Sequence, residues 1–225
     1  MKYFRKILFL VPFLLLTNCQ ANWEFNLVVN EGGGGNYTIS ILIDQEAQQC
    51  AVDTGLTPIG GLDIILESLP DGFGSSIFNE DDFLGIKIRQ TFDSFEMLNQ
   101  QLDSLKQNEN TSLLLLPLKK INFQMDENKY TINGKFAELL NKNLIEPTDA
   151  EQLYNGSLSI KLPGTIEEPK LNEINDNTVI FLHDGLNEQT FLISSNNAKN
   201  QWIVGLLLVI LLFILFFGRQ LFYRH

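Results

Sequence analysis

The stretch that decides the fold reads Tyr37-Thr38-Ile39-Ser40-Ile41-Leu42-Ile43, followed after a polar turn by Ala51-Val52-Asp53-Thr54-Gly55. Apolar side chains alternate along 37–43, which is the period of a β-strand with one buried face. We expect residues 49–53 to form a second short strand that pairs with 37–43. The sequence Asp53-Thr54-Gly55 then predicts a turn. The sequence therefore predicts paired strands with a carboxylate on a tight, glycine-bearing turn.

The rest of the chain before residue 201 is mostly strand-like. One apolar set recurs at three- and four-residue spacing: Phe92, Phe95, Leu98, Leu102 and Leu105. This spacing predicts an amphipathic helix over 92–105. Further strands are expected at 83–88, 113–118, 129–132, 157–162, 178–182 and 190–193, the last two as a hairpin. The predicted fold class is mainly β with one or two short helices.

The first 21 residues have the features of a secretory signal. Three basic residues precede an apolar run from Ile7 to Leu16, and small residues near Ala21 suit signal-peptidase cleavage. We expect 1–21 to be a removed signal peptide. A bacterial lipoprotein acylated on Cys19 is the alternative, although Asn18 stands where such sites have a small residue.

The other end of the chain predicts a membrane anchor. Residues 202–218 read WIVGLLLVILLFILFFG without a charge, at the short end of what crosses a hydrocarbon core of about 30 Å. Arg219 and Arg224 follow this run, so we expect 219–225 to be a cytoplasmic tail. A lipid-anchor signal is the competing interpretation, because small and polar residues precede the run. The expected protein is single-pass type I, in the secretory pathway, the endolysosomal system or the cell surface.

The segment 22–201 is long enough for one domain with its own core. It holds all 27 Asp and Glu but only 11 of the 16 Lys and Arg. Such an acidic surface disfavours nucleic acid as a partner. Cleavage after Ala21 leaves Cys50 without an internal disulfide partner. We interpret it as a buried strand residue, with an intermolecular bridge as the alternative.

Short sequence motifs predict modification sites but no cofactor-binding site. Three Asn-x-Ser/Thr sequons begin at Asn36, Asn110 and Asn155, which predicts N-glycans if the source makes them. The glycine run 32–35 lacks the following Lys-Ser/Thr of a phosphate loop. His183 stands alone in 22–201, so a metal site or a His-dependent triad has almost no support. We expect neither a cofactor nor a metal.

An ordered series of segments runs from residue 37 to 163. Its members are Tyr37–Gly55 with Asp-Thr-Gly, Asp82–Ile86, the helix at 92–105, Ser112–Pro117, Tyr130–Gly134 and Tyr154–Pro163. This series resembles the N-terminal lobe of the pepsin-like (eukaryotic) aspartic proteases, and 164–201 would finish that lobe or form a stalk. The resemblance implies that Asp53 is catalytic, with Thr54 and Gly55 supporting it and with Phe83, Leu84 and Gly85 beneath its loop. It also implies hydrolysis of a peptide or protein substrate by a water that two aspartates activate.

The sequence departs from this family in two places. Leu56 replaces the hydroxyl residue that usually follows Asp-Thr-Gly, and the stretch between Asp53 and Asp82 is too short for the family's flap. The second catalytic acid has two candidates, namely Asp184 and, in a homodimer, Asp53 of a second copy of the chain. A hairpin turn is the ordinary interpretation of Asp184-Gly185.

Three interpretations of function follow. The first is a membrane-anchored aspartic endopeptidase. The second is a catalytically inactive pepsin-like lobe that acts as a binding or receptor module. The third is an unrelated β-rich domain in which Asp53-Thr54-Gly55 is a turn by chance.

Overall fold

The structure is a computed structural model and describes residues 21–44, 62–81, 83–106, 116–140, 154–169 and 177–197. The strands are β1 (Ala21–Val29), β2 (Gly35–Asp44), β3 (Gly74–Glu80), β4 (Phe83–Phe92), β5 (Leu118–Asp126), β6 (Lys129–Phe136), β7 (Tyr154–Lys161), β8 (Thr165–Glu168), β9 (Thr178–His183) and β10 (Thr190–Asn196). The helices are α1 (Leu62–Glu67) and α2 (Phe95–Leu105). The predicted mainly β class is confirmed.

Six strands form sheet A in the order β3-β4-β2-β1-β7-β9. Neighbours run antiparallel except β1 and β7, which are parallel. Both edges of β2 are occupied, since Ile39 lies opposite Phe25 of β1 and Ile88 of β4. The expected pairing of 37–43 with 49–53 is therefore wrong, because a strand has only two edges. Residues 49–53 lie outside the described residues.

Four strands form sheet B in the order β5-β6-β10-β8. The predicted hairpin of 178–182 with 190–193 is wrong, because β9 pairs with β7 in sheet A and β10 pairs with β6 and β8 in sheet B. The segment 184–189 therefore carries the chain from one sheet to the other. Asp184-Gly185 lies in this connection and not in a hairpin turn.

One apolar core joins the inner faces of both sheets with helix α2. The helix begins after Ser94, whose side chain accepts a hydrogen bond from the Met97 N–H at 3.2 Å. It buries four of the five residues in the predicted spacing, namely Phe95, Leu98, Leu102 and Leu105. The helix prediction is confirmed from Phe95 onward, while Phe92 ends β4.

The expected segments at the two ends of the chain fall outside the described residues, apart from Ala21. Ala21 begins β1, opposite Ile43 of β2 and Tyr154 of β7. Within the described ranges, neither helix is long and apolar enough to cross a membrane.

Candidate functional site

The candidate catalytic residues Asp53, Thr54 and Gly55 lie outside the described residues, as do Cys50 and Asn110. The chain enters that segment from Asp44, the last residue of β2. Asp44 lies opposite Phe83, the first residue of β4. The end of β2 and the start of β4 are therefore neighbours where the chain leaves toward Asp53.

Phe83, Leu84 and Gly85 begin β4 in regular antiparallel pairing with β2 and β3. Gly85 lies opposite Phe78 of β3, and a Cβ atom added to Gly85 would lie 2.8 Å from the Phe78 ring. The Lys87 Nζ atom lies 4.4 Å from the centroid of the same ring. Phe78 therefore covers the surface that the glycine leaves open, and Lys87 adds a cation–π contact.

Asp184, the candidate second acid, caps the connection between the sheets. Its Oδ1 atom accepts a hydrogen bond from the Leu186 N–H at 2.9 Å. Gly185 has a positive φ of 76°. The Gly185 carbonyl accepts hydrogen bonds from the Leu139 and Leu140 N–H groups at 2.8 and 2.9 Å. The carboxylate thus holds a local turn of the kind that Asp favours.

Asp184 and the end of β2 lie at the same end of sheet A. His183, just before Asp184, lies opposite Gly156 of β7. Gly156 in turn lies opposite Trp23 of β1, and Trp23 lies opposite Ile41 of β2. Three strand spacings, or about 14 Å, separate β9 from β2. The strand that leads to Asp184 and the strand that ends at Asp44 therefore end on the same side of the sheet and are not neighbours.

His183 is the last residue of β9. It is 3% exposed. Its Nε2 atom lies 3.1 Å from the Asn187 carbonyl oxygen. Because a carbonyl only accepts, Nε2 carries the proton of the neutral ring. The imidazole stacks on Phe136 and meets the Tyr154 ring edge-on at 5.9 Å between centroids.

Burial sets the protonation of this cluster. It lowers the pKa of His183, against smaller opposite effects of the Asn187 carbonyl and the Asp184 charge. Burial also raises the pKa of Tyr154. Among the described residues, the His183 Nδ1 atom and the Tyr154 hydroxyl are buried without a hydrogen-bond partner. The ring is therefore neutral at pH 7, as a buried imidazole should be.

The sequons that the structure describes lie on one surface. We call the face of sheet A that carries Asn22, Glu24 and Asn26 of β1 the outer face. Asn36 lies opposite Val28 and Asn155 lies opposite Asn22, so both belong to the outer face. Both side chains are exposed. N-glycosylation of these two asparagines stays a prediction.

Strand β9 exposes apolar side chains that sequence reasoning did not single out. Ile180 and Leu182 are 60% and 69% exposed. Both point to the outer face, since Leu182 lies opposite Ser157, the β7 neighbour of Glu24. Within the described residues, β9 has β7 on one side and no strand on the other. We call this side of Thr178–His183 the β9 edge.

The other edge strands carry charges and β9 does not. Glu80 ends β3, and Glu167 and Glu168 end β8. β5 carries Lys119, Lys120 and Asp126. Charges on an edge strand oppose pairing with another chain. The sequence signal for the β9 edge was the run TVIFL at 178–182, which is apolar on both faces after its first residue.

No metal centre is evident in the part of the chain that the structure describes. No three His, Cys, Asp or Glu side chains within those ranges lie close enough together to hold a metal ion.

Neither protein-family models nor curated proteins match this chain. Among solved structures, it is similar to the NMR structure of the folded domain of LppM from Mycobacterium tuberculosis, with a TM-score of 0.50 and 12% sequence identity. The match covers 81% of this chain and 92% of that one. At this identity the likeness concerns the fold alone, so it carries no activity to this chain.

Proposed function

We propose that this chain is a membrane-anchored β domain of the secretory pathway, the endolysosomal system or the cell surface that binds a protein partner. Its binding surface is the β9 edge. The observation that carries the proposal is an edge strand without charge that exposes Ile180 and Leu182. An extended segment of another chain can add to such a strand through backbone hydrogen bonds, while alternate side chains give selectivity.

Exposed apolar side chains that occur singly need no explanation. Here two of them stand two residues apart on the same face of one edge strand. Fully burying such a side chain is worth about 1.5–3 kcal/mol. The β9 edge therefore offers both backbone pairing and apolar contact to a partner.

The test measures binding of fluorescent strand-forming peptides, eight residues of alternating Val and Thr, to the full chain in nanodiscs. Binding is expected to weaken at least about tenfold in the Ile180→Lys/Leu182→Lys variant, because the charges oppose strand addition. Leu192→Lys is the matched control, since Leu192 is 47% exposed on β10 in the interior of sheet B. Absence of binding by the wild type, or equal loss in the control, would contradict the proposal.

A second candidate function is a membrane-anchored aspartic endopeptidase with a pepsin-like lobe. It is favoured by the position of Asp184 at the end of sheet A where β2 ends at Asp44, from which the chain continues toward Asp53. Under this proposal Asp53 acts with Asp184, or with Asp53 of a second copy, to activate the water that attacks a peptide carbonyl. The hydrogen bond from the Leu186 N–H to Asp184 gives this carboxylate a structural role and so weighs toward the binding module.

The endopeptidase candidate has its own test. Two carboxylates that share a site do not both stay ionised, so cleavage should be confined to acidic pH. The full chain is incubated with a mixed peptide library between about pH 3 and 7, with Asp53→Asn as the matched control. Acid-dependent cleavage that Asp53→Asn abolishes supports this candidate, and silence from the folded wild type excludes it.

A further inference from the structure

We infer that the partner at the β9 edge is the β9 strand of a second copy of this chain, added antiparallel about a twofold axis at Phe181. The inference rests on the proposed function and names its partner. It makes the chain a homodimer in which the two copies of sheet A become one continuous sheet.

Charge favours this edge for contact between copies. The chain has a formal net charge of −11, so two copies repel wherever their acidic surfaces meet. Residues 178–182 carry no ionisable side chain, and the strand ends at the neutral, buried His183. Two copies of β3 would bring Glu80 to the interface, and two copies of β8 would bring Glu167 and Glu168. Of these three edges, β9 therefore has the least like-charge repulsion.

The β9 sequence is complementary to itself. In an antiparallel pair centred on Phe181, Ile180 of one copy lies opposite Leu182 of the other, and the arrangement occurs twice. Both side chains lie on the outer face of their sheet. Directly opposite apolar residues are the contacts that stabilise a strand pair. The twofold contact is isologous and uses the β9 edge of each copy, so association through this edge stops at two copies.

Other registers are less favourable. A shift that places Ile180 opposite Phe181 would bring an outer-face residue against an inner-face residue. Centring on Leu182 would place Ile180 opposite Asp184, next to a carboxylate. Centring on Ile180 would place Leu182 opposite Thr178 and leave one apolar pair, Ile180 with Ile180 of the other copy, in place of two. The Phe181 centre is therefore the register that matches the two exposed side chains to each other.

Strand addition along six residues makes a small interface. Interfaces of this size are usually weak in solution. Two copies anchored in one membrane would meet at a much higher effective concentration. We therefore test the dimer with the full chain in membranes.

The experiment is disulfide cross-linking in a Cys19→Ser/Cys50→Ser background. Ile180→Cys and Leu182→Cys are made on chains with different tags and co-expressed. Directly opposite residues have Cβ atoms about 4.5–5.5 Å apart, whereas identical residues here are diagonal neighbours at about 7–8 Å, beyond disulfide reach. The mixed pair is therefore expected to cross-link under mild oxidation at least about fivefold more than either variant alone. Leu192→Cys, on an interior strand, is the control for random collision.

Each outcome decides between the inference and its premise. Preferential cross-linking of the mixed pair, lost on adding Leu182→Lys to the Ile180→Cys chain, supports the dimer. Cross-linking of the mixed pair no greater than that of Leu192→Cys overturns it. If Val/Thr peptides still bind the β9 edge in that case, the proposed function stands with another partner. If the peptides do not bind, both the dimer inference and the proposed function are wrong.

Discussion

The His183 imidazole lies flat against the Phe136 ring, with centroids 4.6 Å apart and ring planes 11° apart. His183 ends β9 of sheet A and Phe136 ends β6 of sheet B, so this stack joins the two sheets where the chain crosses between them. Phe181 and Phe191 repeat the connection at 5.2 Å between centroids. The Phe136 N–H also donates to the Gln189 carbonyl at 2.8 Å. Packing of the sheets and the path of the crossing segment therefore depend on one another.

Acid is expected to destabilise the fold through His183. Burial lowers its folded-state pKa below the ordinary 6.5. Below pH 6.5 the unfolded chain binds a proton at this residue that the folded chain does not bind. The free energy of unfolding therefore falls as pH drops through 6.5. Above it, this residue adds no pH dependence. We expect the wild type to lose stability relative to His183→Phe between pH 7 and 5, measured by chemical denaturation of the full chain in detergent.

His225→Phe is the matched control for this prediction, because it removes the other histidine of the chain and leaves the stack intact. Its pH dependence should follow that of the wild type. Parallel stability profiles for wild type and His183→Phe would mean that the buried imidazole is not the titrating group.

Close packing of strands at Gly134 gives a second prediction. Gly134 of β6 lies opposite Phe191 of β10. A Cβ atom on Gly134 would press on the Phe191 ring and lie 2.8 Å from the Lys120 carbonyl oxygen. Backbone cannot yield as a flexible side chain can, so Gly134→Ala is expected to lower the free energy of unfolding by about 1–3 kcal/mol.

Gly74→Ala on β3 is the comparison for Gly134→Ala. The nearest atom to its added Cβ, the Arg89 carbonyl oxygen, is 3.4 Å away. The change in unfolding free energy should stay within about 0.5 kcal/mol. Denaturant titration of both variants decides the matter, and equal losses would rule out the crowding at Gly134 as the cause.

Alternating hydrophobicity was sufficient to locate several strands. The predicted runs 37–43, 83–88 and 129–132 lie within β2, β4 and β6. β1 was missed although Trp23, Phe25, Leu27 and Val29 alternate and are buried. The evidence for β1 was therefore present, but it follows a predicted signal peptide and precedes a glycine run, where no strand was expected.

Strand partners could not be predicted in the same way. Periodicity indicates which face of a strand is buried but not which strand lies beside it. β1 and β7 pair in parallel although Ala21 and Tyr154 are far apart in sequence. Asp184-Gly185 favours a hairpin by its local chemistry. β9 and β10 nevertheless lie in different sheets, where each contributes to an apolar inner face.

The candidate site was predicted from ordered motifs, and the structure describes only part of it. Asp184 and Phe83 to Gly85 lie in the described residues, whereas Asp53 does not. The exposed β9 edge was not predicted, because single-sequence patterns do not distinguish an edge strand from an interior strand.

The start of helix α2 provides a third prediction. Ser94 accepts a hydrogen bond from the Met97 N–H, one of the donors that a helix leaves without an internal partner. Ser94→Ala is expected to cost about 1 kcal/mol of stability, while Ser94→Asp should retain it because Asp is also a strong cap. Thermal unfolding of both variants tests this. A loss in Ser94→Asp equal to that in Ser94→Ala would indicate that the hydroxyl itself is needed elsewhere.

Asp184 separates the two candidate functions. Asp184→Asn keeps a side-chain oxygen that can accept from the Leu186 N–H, whereas Asp184→Ala removes it. If the residue only caps the turn, Asp184→Ala should lose about 0.5–1.5 kcal/mol and Asp184→Asn much less. Peptide binding at the β9 edge should then be unchanged in Asp184→Asn. A stable Asp184→Asn variant that loses an acid-dependent cleavage shown by the wild type would instead assign this carboxylate to catalysis, because the amide preserves the turn and removes the ionisable group.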